Sequence, residues 1–592
     1  MNSKHPGSGK RLIICCDGTW NTPKQEDHGL PAPTNVYKIY CAVSDSNRNP
    51  QQRLTKPQYC YYHTGVGTEG GWLSRLLGGL YGKGIDQHIQ SAYHWLARHY
   101  EAGDEIYLFG FSRGAFTVRS LGGMLARCGL LDLTNLGPDP IGGVRPEFNP
   151  DDTGDASEAE EDDATGQTPA DPDAFNDEVR RSWMRVKTLY HERYRGGDYP
   201  WFIQIGYTLK KLFKPDPQTT AGEPEPRRVP VKFLGVWDTV GSLGVPDDLR
   251  YLWFLSPPRR WKFHDTEITG LGEFNENPTI KSCVMVARQA LAVDEMRAGF
   301  TPTRWQRKAG SDRAQHLDIQ QRWFAGVHAD VGGGYSACGL SDLALDWMIQ
   351  EAHAQDLEFD NVIYSQVQGD PQGPMHNPRK GMMKLMRTRP RAIPEIAGPH
   401  GPGVHPSANS RCQYPPITQS PYRPTVRMDK PMRRSRIVYA TQHWAETGLY
   451  LLPGKYRFEA HGMWSKGGKY ACAASGLGYL SLMKSTLGMA IQDMTGRIES
   501  VFRRFPGMER LKFPFTLRHT ELGRFRLIGV VAERLPSPDP SGSPPDYEPI
   551  EIGQKTGVIQ VHRRGYLYAY PNDAWMSYQK NRGSVTLTVQ RI

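Results

Sequence analysis

Five residues, Gly110-Phe111-Ser112-Arg113-Gly114, set a serine between two glycines in the pattern G-x-S-x-G. A serine hydroxyl is a weak nucleophile until a base takes its proton and donors hold the oxyanion that its attack creates. The pattern is short and made of common residues, so its context carries the weight. The apolar run EIYLFGF (105–111) reads as a strand, and 113–127 carries Ala115, Val118, Leu121, Leu125 and Ala126 at helical spacing. A strand, tight turn and helix of this kind hold a serine Oγ exposed above a parallel sheet. The plainer alternative is a Ser/Gly turn that only caps a helix.

The backbone N–H of Arg113, at the start of that helix, is one candidate oxyanion donor. A second is expected from Gly18 or Thr19, in the loop after the first strand. Asp17 beside them orients this loop, approaches the catalytic histidine, or makes a simple Asx-turn. For the base and its orienting acid, the chain order Ser, acid, His selects Asp238 and His328. Asp238 ends the run VKFLGVWD (231–238), and His328 ends QRWFAGVH (321–328) ahead of ADVGGG. Both stand where side chains reach the top of a sheet. Asp330, two residues past His328, either competes with Asp238 as the orienting acid or braces the loop. His94 falls in a helix, His63 precedes the nucleophile, and His316 lacks structural punctuation. No H-E-x-x-H, cysteine pair or GxxxxGK[ST] loop occurs. Ester hydrolysis with no metal and no cofactor is the chemistry expected.

These residues need a scaffold of alternating strands and helices. RLIICCD (11–17) and residues 58–63 read as strands, and 86–100 as a helix. Further on, a helix is expected around 277–297, a strand at 321–328 and a helix over 341–355. The alternation implies an α/β fold with a mainly parallel sheet, spanning 1–355. An acidic stretch, DDTGDASEAEEDDATGQTPADPD, lies in an insertion at 132–180 that should be mobile. Residues 356–446 are rich in Pro, Arg and Gly and either wrap the core or link it to the C-terminal third of the chain. From 447 to 592 the texture is short strands and turns, among them KYRFEAHG (455–462), RFRLIGVVAE (524–533), TGVIQVH (556–562), GYLYAY (565–570) and GSVTLTVQRI (583–592). That predicts a separate all-β sandwich.

The chain has 592 residues, a formal charge of +10 and nine cysteines, with a mean hydropathy of -0.57. Such a length implies two or three units, and such a hydropathy a water-soluble protein. No signal segment or spanning apolar run is visible, and the thinly spread cysteines suit a cytosolic inventory of buried thiols. Basic residues cluster at Arg379, Lys380, Lys384, Arg387, Arg389 and Arg391, and again at Arg427, Lys430, Arg433, Arg434 and Arg436. Anionic lipid headgroups, nucleic acid or simple solvation each account for such clusters.

The segments CCDGTWN (15–21), HTGVGT (63–68), GFSRGAFTVRSLGGML (110–125), GVWDTVGSLG (235–244) and AGVHADVGGGY (325–335) together resemble the DUF2235 α/β-hydrolase family, which includes type VI secretion lipase effectors of the Tle1 kind. The resemblance covers about residues 10–355. It implies an α/β-hydrolase fold and phospholipase A activity on bacterial glycerophospholipids, with Ser112, Asp238 and His328 matching the family's serine, aspartate and histidine motifs. It also implies a spike protein as carrier, a cognate immunity protein, transient peripheral membrane contact and delivery into the periplasm of a target cell, with no nucleic-acid partner. IQIGYTLKKLFKP (203–215) mixes apolar and basic residues and is a candidate bilayer contact or a packed surface helix. Two other functions stand beside this one: hydrolysis of a soluble or glycan acyl ester, and a non-catalytic adaptor or carbohydrate-binding role.

PGKYRFEAHG (453–462) and AYPNDAWMSYQKNRGSVTLTV (569–589) resemble the PA-IL-like galactose-binding lectin, which uses calcium. That resemblance maps calcium ligands onto Asp573, Ser577 and Asn581. It places Lys580 where the lectin has a further Asn, and Lys466 where it has a Tyr carbonyl. The expectation is that Lys580 pairs with Asp573 in place of the metal, leaving a sandwich without calcium that serves docking, membrane positioning or core support.

Overall fold

The computed structural model describes residues 9–18, 21–48, 53–64, 85–136, 181–194, 226–240, 283–305, 318–379, 383–384, 387–397, 403–468, 470–476, 498–499, 501, 516–532, 547–553 and 555–592. Thr19, the amphipathic run 203–215 and most of the acidic insertion lie outside these residues. The part of that insertion that is described, 132–136, buries Leu133 and Leu136.

A six-stranded sheet forms from β1 (Arg11–Cys16), β2 (Gln58–His63), β3 (Glu105–Phe111), β4 (Val231–Trp237), β5 (Val284–Ala292) and β6 (Asp318–Phe324), in the order β2-β1-β3-β4-β5-β6. Every pairing is parallel. Both faces are covered, which explains why β1 is an unbroken apolar run. Leu12, Ile14 and Cys16 pack on one side with α2 (Ile85–His99) and α3 (Arg113–Cys128). Ile13 and Cys15 pack on the other with α1 (Asn35–Ala42) and α5 (Gly339–His353). The chain moves outward from β1 to β2, then returns to add β3 on the opposite side. That reversal opens a crevice at the C-terminal ends of β1 and β3, where ligands bind in open α/β sheets.

One expected element is corrected. A helix is expected around 277–297, but within that span residues 284–292 form strand β5, inside the sheet, with every residue but Met285 buried. A short run buried on both faces carries no period that separates strand from helix.

A second body is a β-sandwich. One sheet has the order β8 (Met432–Tyr439), β16 (Asn581–Arg591), β10 (Gly454–Lys466), β11 (Tyr470–Ala473), with β14 (Lys555–Val561) also pairing β10. The other has the order β13 (Ile550–Ile552), β12 (Leu527–Ala532), β15 (Gly565–Pro571), β9 (Ala445–Leu451), β7 (Val426–Met428). The sandwich therefore begins before 447, taking in β7 and β8. Arginines at 433, 434 and 436 hide a strand that buries Val438 between exposed neighbours.

Described residues between 393 and 422 pack against both bodies. Ile393, Ile396, Val404 and Tyr422 share one core with Leu291, Val293 and Trp323 of the first body and with Ile528, Tyr566, Tyr568 and Tyr570 of the sandwich. Asp294 accepts from Tyr422 Oη and Arg423 Nε, each at 2.8 Å. All nine cysteines are free thiols. No helix among the described residues is long and apolar enough to cross a membrane.

Candidate active site

Strand β3 ends at Phe111 and α3 begins at Arg113, so Ser112 must turn the chain in one residue. It does so at φ 56° and ψ −117°, a conformation that costs a non-glycine residue on the order of 1–3 kcal/mol. Bonds on both sides hold it there. Ser112 N donates to Trp237 O at 3.0 Å, and its carbonyl accepts from Phe116 N at 3.3 Å. The flanking glycines are steric requirements. A Cβ on Gly110 would lie 2.7 Å from Ala115 Cα, and one on Gly114 would lie 2.1 Å from the Cys16 carbonyl oxygen. Gly114→Ala is therefore expected to lower stability by about 1–3 kcal/mol, toward the upper end because the obstacle is backbone. Thermal unfolding of wild type and variant checks this; an unchanged Tm would contradict it.

Phe111 pairs with Trp237 across β3 and β4, so Asp238 follows β4 immediately beside Ser112. Asp238 is fully buried. His328 opens the short helix α4 (His328–Gly332), whose Gly332 touches the Phe111 ring too closely for any side chain. The His328 ring lies 4.6 Å from that of Phe111 and 5.0 Å from that of Phe300. Its Nδ1 is 2.5 Å from Asp238 Oδ2. Thus His328 is paired with Asp238, and Asp238 and Ser112 follow neighbouring strands at the same end of the sheet.

Electrostatics fixes the tautomer. Burial pushes the Asp238 carboxyl up, but the Arg391 guanidinium and the bonds from His328 and Arg391 outweigh it and hold the group well below the usual carboxylate range. An ionised carboxylate only accepts, so His328 Nδ1 carries the hydrogen and Nε2 keeps its lone pair. Burial, opposed by Asp238, leaves His328 below the ordinary imidazole value.

Asp330 has another partner. Its Oδ1 lies 2.6 Å from His376 Nδ1, and its Oδ2 accepts from Val327 N at 3.0 Å. It braces the loop that carries His328. Asp17 also braces a loop: it accepts from Gly18 N at 2.7 Å, Thr34 Oγ1 at 2.6 Å and Tyr62 Oη at 2.8 Å. Burial pushes its carboxyl up to about 6. Gly18 comes close to Ser112, since a Cβ there would meet Ser112 Cβ at 3.1 Å. Its N–H, however, is already engaged by Asp17, and Thr19, the other expected donor, lies outside the described residues. Arg391 is the residue that sequence reasoning missed. It counted as one of a basic cluster, yet it is buried and forks onto Asp238 with Nη1···Oδ1 at 2.7 Å and Nη2···Oδ2 at 2.8 Å.

The family described as type VI secretion system phospholipase effector Tle1-like, catalytic domain, matches residues 10–351. The chain belongs to this Tle1-like family. Among curated proteins it is similar to the uncharacterized protein YEL023C of Saccharomyces cerevisiae, 38% identical over 142 residues, which are 22% of this chain and 19% of that protein. The chain thus spans about one fifth of the length of that relative. Among solved structures it is similar to an uncharacterized protein from Pseudomonas aeruginosa (14% identity, TM-score 0.32, covering 62% of this chain and 49% of the other). It is also similar to a Tle1 effector bound to the VgrG spike of the type 6 secretion system (14% identity, TM-score 0.27, covering 56% and 52%). A third, described as the EclA N-terminal domain, a PllA-like lectin, shares 17% identity at a TM-score of 0.16 and covers 27% of this chain and 98% of its own.

Among the residues expected from the sequence to match the lectin's calcium ligands, Asp573 carries basic partners instead. Lys466 Nζ lies 2.5 Å from Asp573 Oδ2, and Arg524 Nη1 lies 3.0 Å from Oδ1. Asn581 turns its amide to the Ala440 carbonyl. This corrects the expectation for Lys580, which is exposed. Lys466 sits opposite Asn581 in the β10–β16 ladder, and its stem reaches Asp573 from there. Two cations already neutralise a carboxylate that a hard cation would need. Calorimetric titration of the full chain with calcium is expected to show no micromolar binding. Micromolar uptake followed by calcium-dependent galactoside binding would contradict this.

Proposed function

We propose that this Tle1-like protein is a serine phospholipase of the A type, acting on acyl esters of bacterial glycerophospholipids. The observation that carries the reading is the Asp238–His328 pair at 2.5 Å beside a serine held in a strained strand-to-helix turn. In this mechanism Ser112 Oγ attacks the acyl carbonyl while His328 Nε2 takes its proton. The oxyanion is met by the N–H of Arg113 at the start of α3, with Thr19 as the second donor. His328 returns the proton to the departing lysophospholipid oxygen, leaving an acyl-Ser112 ester. Water, deprotonated by the same nitrogen, then releases the fatty acid. Asp238 keeps the ring in the required tautomer and offsets the imidazolium that forms at each stage.

Family membership supports the further reading that the protein is an antibacterial effector carried by a type VI spike, released into a target cell and neutralised in kin by an immunity protein. A calcium-dependent glycan ester is disfavoured by the Lys466–Asp573–Arg524 cluster. The test is product analysis on mixed bacterial phospholipid vesicles incubated with purified protein. Free fatty acid and lysophospholipid in equal amounts are expected. Release of phosphorylated headgroups or diacylglycerol instead would overturn the assignment.

A further inference from the structure

Arg391 stands 40 residues beyond the family's matched domain, yet its whole terminal fork is spent inside the candidate site. Nη1 donates to Asp238 Oδ1 and to the Ala292 carbonyl, both at 2.7 Å. Nη2 donates to Asp238 Oδ2 at 2.8 Å and to the Phe300 carbonyl at 2.5 Å. A guanidinium facing a carboxylate with two parallel bonds fixes orientation as well as charge. The carboxylate so fixed is the one that holds His328.

The segment bearing Arg391 is itself held from two sides. Toward the catalytic body, Ala298 N donates to Arg387 O at 2.9 Å and Arg389 N to Met296 O at 2.5 Å. These bonds lay the segment along the loop of Glu295, Arg297 and Phe300. Toward the sandwich, Trp444 Nε1 donates to Thr388 O at 2.9 Å and Tyr547 Oη to Pro390 O at 2.8 Å. Ile393 and Ile396 then anchor the chain in the shared core.

We infer that Arg391 is a positioning residue of the hydrolytic site: it locks the Asp238 carboxylate against His328 and offsets its charge, so the wrapping segment and the sandwich behind it complete the catalytic apparatus from outside the catalytic domain. This rests on the Ser112–His328–Asp238 reading. A consequence concerns pH. With Arg391 in place, Asp238 and neutral His328 form a cluster of no net charge. Without it, the cluster is a buried anion, which takes up a proton at higher pH. Other charged groups nearby are Glu295 and its partner Arg297, Asp330 with His376, Asp17 at the end of β1, and Arg113 beside the nucleophile. None of these is altered in the test.

The experiment is the pH profile of kcat/KM on a short-chain p-nitrophenyl ester, using the full chain and Arg391→Met, Arg391→Gln and Arg391→Lys. The acid limb of the wild type is expected below the ordinary imidazole pKa, because burial lowers His328. In the Met and Gln variants it should rise by about one pH unit or more, because removing the nearby like charge of Arg391 favours the imidazolium form of His328. A drop in kcat of roughly tenfold or more should accompany it, as positioned groups lose their alignment. Lysine keeps the charge but cannot span both oxygens, so its limb should stay while kcat falls. Folded Met or Gln variants with an unmoved limb would overturn the inference. If neither folds, Arg391→Lys decides: wild-type kcat would overturn it, and lowered kcat with an unmoved limb would sustain it. Ser112→Ala is run alongside. Full activity there would bring down the serine mechanism and this inference together. An inert Ser112→Ala beside an unmoved Arg391→Met limb would remove the inference alone.

Discussion

Ser112→Ala is expected to reduce ester turnover by roughly 10³-fold or more while leaving the fold intact. The hydroxyl is the only group lost. The residue is nearly buried, but its backbone bonds to Trp237 and Phe116 remain. Alanine retains the same strained φ and adds no atom, so Tm should move little. His328→Ala should be as damaging, because the serine then has no base. The double variant should be little worse than either single one, since the two residues act as a unit and their effects do not add. Steady-state rates on a short-chain ester check all three. Losses that multiply in the double variant would mean that Ser112 and His328 serve separate steps.

Asp238→Asn carries the second large effect. An amide in place of the carboxylate presents a donor toward His328 Nδ1 and favours the tautomer with its hydrogen on Nε2, the wrong nitrogen for a base. The corresponding change in a serine protease triad costs about 10⁴-fold in kcat. Here a second consequence is added, because Arg391 would face a neutral amide in a buried site. Removing one partner of a buried pair costs about 3–5 kcal/mol, so Tm should fall as well, and the rate must be normalised to folded protein. Asp330→Asn should leave turnover largely intact, since Asp330 is engaged with His376 and Val327 rather than with His328. The reverse pattern, a mild Asp238→Asn and a severe Asp330→Asn, would assign the orienting acid to Asp330.

How far each residue's placement was legible in the sequence depends on the range over which its signal acts. Ser112 was legible because strand, turn and helix are consecutive, and the glycines around it answer to contacts within the same unit and with β1. The placement of Asp238 was legible because strand ends collect at one edge of a parallel sheet, whereas His328 stands past its strand, at the start of α4. The strand at 284–292 was not, because burial on both faces erases the alternation that marks a half-exposed strand. Arg391 was invisible for a different reason. It reaches Asp238 across 153 residues from a proline-rich segment without periodicity, and nothing local separates the buried Arg391 from the half-buried Arg387 and Arg389. Lys466 stands with Asp573 among the positions that the lectin resemblance implies. Only the cross-strand register between β10 and β16 decided that it, rather than Lys580, meets Asp573.

The central claim is that one serine carries the hydrolysis of phospholipid acyl esters. The most direct measurement treats the purified chain with a fluorophosphonate, maps the adduct by peptide mass spectrometry, and follows fatty-acid release from bacterial phospholipid vesicles in the same samples. The account predicts a single adduct on Ser112, loss of fatty-acid release in proportion to its formation, and no adduct in His328→Ala at the same exposure. Undiminished release from a chain fully labelled at Ser112, or loss of release with the adduct on another residue, would contradict it.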